Sequence, residues 1–62
     1  MQERVFTTLQ KALEYAFSNS CVDYPRIFVF STLNRPESYL VTTEKKQVKS
    51  SYKYIGTIVW EA

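Results

Sequence analysis

The sequence predicts an α+β fold: an N-terminal helix packed on a three-stranded antiparallel β-meander, in the order αβββ. Three observations carry that expectation. Residues 3–18 place their apolar side chains with a helical period, and three later stretches are dense in β-branched and aromatic residues. The links between those stretches are short and polar, so consecutive strands are expected to neighbour one another.

The helix comes first. At about 100° per residue, Val5, Phe6, Leu9, Ala12, Leu13, Ala16 and Phe17 fill one sector of roughly 120°. Arg4, Thr7, Thr8, Lys11, Glu14 and Ser18 take the opposite face. Two starts fit: one near Glu3, or one at Thr7 as N-cap with Gln10 completing a capping box. The earlier start is favoured because Val5 and Phe6 stay in phase with the later apolar positions. Ser18-Asn19-Ser20 ends the helix, since these side chains bond to local backbone and Asn19 tolerates the left-handed C′ conformation. Leu13 then belongs to the core, and Leu13→Ala is expected to cost about 2–5 kcal/mol.

Cys21 to Pro25 reads as a connector, with Pro25 holding Tyr24 extended. RIFVFSTL (26–33) is the strongest strand, too short for a typical helix and rich in strand formers. Asn34-Arg35-Pro36-Glu37 supplies turn chemistry, and SYLVTTE (38–44) is a second strand. KKQVKSS (45–51) is a polar loop, and YKYIGTIVWE (52–61) is a third strand whose Gly56 marks a bulge or bend.

Composition limits the function classes. A chain of 62 residues makes one domain, 1–62, with little core to spare. Cys21 is the single cysteine, so no disulfide forms within the chain, and without histidine a structural zinc site is not expected. No metal or other cofactor is expected. Aromatic residues, 16% of the chain, are left to supply the burial. No stretch has the run of about 18 apolar residues that a membrane span needs, and Glu3, Lys11 and Glu14 interrupt any leader. A cytoplasmic protein is the expectation.

Catalysis finds little support. Histidine is absent, the carboxylates are scattered, and nothing in the sequence pairs a base with Cys21. A single glycine excludes a phosphate-cradling loop. The chain is therefore expected not to be an enzyme.

The sheet is the more informative feature. Pairing odd positions with even ones puts Ile27, Val29 and Leu40 on one face, where Ile55 and Val59 can join them. The other face carries Phe28, Phe30, Tyr39, Val41, Tyr52, Tyr54, Ile58 and Trp60. Both faces are apolar, and one helix covers one face. Three explanations stand: rings that cover sheet ends or the helix flank, a homodimer that buries the face or pairs edge strands, and a site for a different ligand. Phe28, Phe30, Tyr39, Tyr52, Tyr54 and Trp60 are the candidate partner-binding residues. The expected function is protein–protein binding by a small interaction module, self-associating or with a protein partner. A phage or mobile-element product that binds a host factor fits such a chain.

The alternative is nucleic-acid binding through Lys45, Lys46, Lys49 and Lys53, with Tyr52 and Tyr54 stacking on bases. With no arginine in the cluster to read bases, such binding would be to the phosphate backbone, weak and strongly salt-sensitive. As a solvated loop, the same lysines would discourage edge-to-edge aggregation. The expected order of helix then three antiparallel strands resembles the first part of a double-stranded-RNA-binding domain. That likeness is one of element order alone, and no motif of that family is matched residue by residue.

Overall fold

The computed structural model describes residues 1–33, 36–44 and 51–61. Among the described residues the chain is α+β, with one helix and a four-stranded antiparallel sheet. Strand β1 (Arg4–Phe6) precedes helix α1 (Leu9–Asn19), and β2 (Arg26–Thr32), β3 (Ser38–Thr42) and β4 (Lys53–Val59) follow. The sheet order is β1-β3-β2-β4, with every neighbouring pair antiparallel.

The expected αβββ meander is corrected in two ways. A strand comes before the helix, which also removes the likeness in element order to the RNA-binding domain. The last strand pairs with β2 rather than β3. A meander would put β3 alone in the middle, whereas β2 and β3 share the inner places and are paired on both edges. The residues of β2 from Ile27 to Thr32 are buried or half-buried, and an inner place leaves none of their backbone groups on an open edge.

The helix starts later than its apolar phase suggests. Thr8 is the N-cap, extended in conformation, and its Oγ1 accepts the Lys11 N–H at 3.3 Å. Thr8→Ala is expected to cost about 0.5–2 kcal/mol, read as a drop in the thermal or urea midpoint followed by circular dichroism. Residues 4–6 form β1 because tertiary contacts outweigh phase. Phe6 meets the Tyr15 ring at 5.2 Å, and the Arg4 guanidinium lies 5.4 Å from both ring centroids. The Tyr15 hydroxyl donates to the Gln2 carbonyl at 2.6 Å, tying the segment down. At its other end the helix stops where its sequence indicates. Asn19 stays helical, however, donating from Nδ2 to the Tyr15 carbonyl, and Ser20 caps in an extended rather than left-handed conformation.

Ala12 and Ala16 are the helix residues wholly out of water, against Ile27, Val29 and Val41 of β2 and β3. Their small side chains let α1 lie close on the sheet. Leu13 and Tyr15 flank that contact and are half-buried, so Leu13 sits at the rim of the core.

The register also differs from the expected odd-to-even pairing. Val29 pairs with Val41 and Thr32 with Ser38, so odd residues face odd ones. Five residues, 33–37, therefore separate the last pair. A hydroxyl contact of 2.6 Å between Thr32 Oγ1 and Ser38 Oγ closes this end, and the Ser38 N–H donates to Thr32 Oγ1. Slipping by one residue moves a strand's whole side-chain set to the other face. Val41 and Tyr39 therefore lie under the helix, with Ile27 and Val29, and Leu40 points away. In β4 the bulge expected near Gly56 is present: Val29 faces Gly56 but Phe30 faces Tyr54, leaving Ile55 as the extra residue. Ile58, opposite Ile27, shares the helix side, and Val59 does not.

Candidate functional site

The candidate aromatic residues divide between the two faces. Phe28, Phe30 and Tyr54 point away from the helix, Phe30 and Tyr54 directly opposite one another. Phe30 is only 4% exposed there, with Tyr54 edge-on at 5.6 Å, and Leu40 beside it is equally buried. The second face is thus not the broad open aromatic surface that alternation suggested. Tyr54 is 44% exposed, and its hydroxyl bonds to Thr57 Oγ1. Phe28 is half-buried beside a cleft of about 460 Å³ that Arg26, Asp23 and Glu44 also line.

Tyr39 lies on the helix side, opposite Phe6 and Ser31, and donates a 3.3 Å hydrogen bond to Glu37 Oε2. Burial, and then the Glu37 charge and hydrogen bond, hold its phenol above the usual tyrosine pKa, so it stays neutral at physiological pH. Tyr52 is half-buried just before β4. Lys53 opens β4 opposite Ser31 and is exposed. Lys45, Lys46 and Lys49 lie outside the described residues.

A different surface stands out beside β4. Helix α1 packs on β3, β2 and β1, and β4 lies beyond that main contact at the end of the sheet. Tyr15 points toward β1, where it meets Phe6. Helical spacing then turns Leu13 and Phe17 to the opposite flank, toward β4. Phe17 is 62% exposed. On the sheet itself, the helix side of β4 carries Gly56, Ile58 and Trp60. Trp60 continues the strand's alternation, because its N–H donates to the Pro25 carbonyl at 2.9 Å, and it is 37% exposed. A Cβ built on Gly56 would meet nothing within 4 Å, so the shelf is open there.

The sequence reading included Trp60 but missed Phe17 and Gly56. The apolar stripe puts Phe17 on the buried side of the helix, and spacing marks Gly56 as a bulge or bend. The available signal was the width of the stripe: with alanine at two central positions, the larger residues at its margin reach past the contact.

Among the described residues, no group of three or more His, Cys, Asp or Glu side chains stands ready to hold a metal ion. Cys21 is a half-buried free thiol. No helix among them is long and apolar enough to cross a membrane. Fold and surface together define a small α+β protein with an antiparallel sheet and an apolar shelf beside its last strand. Compared with protein-family models, curated proteins and solved structures, the chain matches none.

Proposed function

We propose that this chain is a non-catalytic interaction module that works by protein–protein binding, with self-association as its form. One observation supports the reading above the others: Ile58 and Trp60 share the helix side of β4 with the open Gly56, and Phe17 stands exposed on the helix flank turned away from β1. Apolar groups gathered on one side of a last strand favour a partner, whereas the same groups scattered singly would call for none.

Sedimentation velocity across a concentration series tests this directly. The expected result is a mass that rises from monomer toward dimer. Phe17→Ser should leave stability within about 0.5 kcal/mol, because the ring is exposed, and should weaken association several-fold. A sedimenting monomer at every concentration up to about 1 mM would remove self-association as the function.

A further inference from the structure

We infer that β4 pairs antiparallel with β4 of a second copy of this chain, centred on Ile58, joining two four-stranded sheets into one. The inference rests on the protein-binding reading above and names its partner and its contact.

The hydrogen-bond ladder carries the argument. The Trp60 N–H to Pro25 carbonyl bond makes that pair a hydrogen-bonded one. Antiparallel pairs alternate, so Ile27 with Ile58 and Val29 with Gly56 are hydrogen-bonded pairs as well. Gly56, Ile58 and Trp60 therefore turn their backbone groups inward to β2. Thr57 and Val59 turn theirs outward, to an edge with which no described strand pairs.

A two-fold axis at Ile58 sets Thr57 opposite the second copy's Val59, and Val59 opposite its Thr57. Within residues 56–60 of the two strands, all four outward N–H groups and all four outward carbonyls then find partners. The same register sets Gly56 opposite the second copy's Trp60. The indole gains a place over a glycine whose Cβ position is empty, which is the use that aromatic residues make of cross-strand glycines. Ile58 meets its own copy on the helix side, and the two shelves become one floor.

Protection against such pairing is also uneven. The other edge, β1, is three residues long and includes Arg4. Residues 56–60, GTIVW, contain neither a charge nor a proline, the usual devices that keep edges apart. The bulge at Ile55 and the charge of Lys53 both fall before the paired stretch.

Amide hydrogen exchange read by NMR at about 50 μM and about 1 mM tests the register. The Thr57 and Val59 amides should become protected roughly 10-fold or more as concentration rises. Those of Gly56 and Ile58, bonded to β2, should be slow at both concentrations. Val59→Pro removes an outward N–H and no bond to β2, so the monomer should keep its circular dichroism while association weakens roughly 100-fold. Gly56→Val fills the place of the partner's indole and should weaken association about 10-fold in a folded chain. A dimer that forms with Thr57 and Val59 still exchanging freely, and with unchanged affinity in Gly56→Val, would overturn the β4 pairing and leave self-association standing. A monomer at both concentrations would overturn the two together.

Discussion

Ile27→Ala is expected to remove a large share of the protein's folding stability. Ile27 is wholly buried, under Ala12 and Ala16 and beside Val29, Val41 and Ile58. Removing its outer carbons loses their transfer energy and leaves a cavity that a strand paired on both sides cannot close. The cost is about 2–5 kcal/mol. At the usual 0.05–0.15 kcal/mol per residue, a chain of this length has only about 3–9 kcal/mol in total. Urea unfolding followed by circular dichroism measures the loss directly, with the midpoint falling at nearly constant slope. A loss below about 1 kcal/mol would mean that Ile27 does not lie beneath the helix.

Ala16→Leu should destabilise the protein by about 1–3 kcal/mol, although it adds apolar surface. Alanine and leucine have similar helix propensities, so the helix itself is little affected. The penalty comes from the sheet. Ala16 is wholly buried against the β2–β3 surface, and a longer side chain must push α1 away from Val29 and Val41. Gln10→Ala, on the exposed side of the same helix, serves as the control and should change stability by no more than about 0.5 kcal/mol. Equal midpoints for Ala16→Leu and the natural chain would mean that the helix does not lie close on the sheet. A simple ranking by side-chain size would order these sites differently, with Phe17 and Leu13 as the most sensitive positions of α1.

The difference between those rankings shows where periodicity stops being informative. Helical phase located α1 and identified its apolar side. It did not distinguish the centre of the contact, Ala12 and Ala16, from the rim at Leu13 and Phe17. Phase also drew Val5 and Phe6 into the helix, because a strand of three residues is too short to contradict a period of 3.6. What makes β1 a strand is its pairing with β3, together with the rings of Phe6 and Tyr15 under the Arg4 guanidinium.

The candidate site was legible in part for the same reason. Trp60 and the aromatic character of β4 can be read directly from the chain. That Gly56, Ile58 and Trp60 share the helix side follows only once β4 is known to pair with β2 at the end of the sheet. Tyr39 was grouped with Phe28 and Phe30, but the register of β2 with β3 puts it on the other face.

By itself the sequence determined the α+β class, the place of the helix, the three strands after it and the bulge beside Gly56. Each of these follows from local spacing and propensity within a few residues. Tertiary structure alone decided the N-terminal strand, the order β1-β3-β2-β4, the register between β2 and β3, and which apolar residues remain at the surface. The physical reason is burial: β2 and β3 take the two inner places, paired on both edges beneath the helix. β4 then lies at the end of the sheet, with no described strand beyond it.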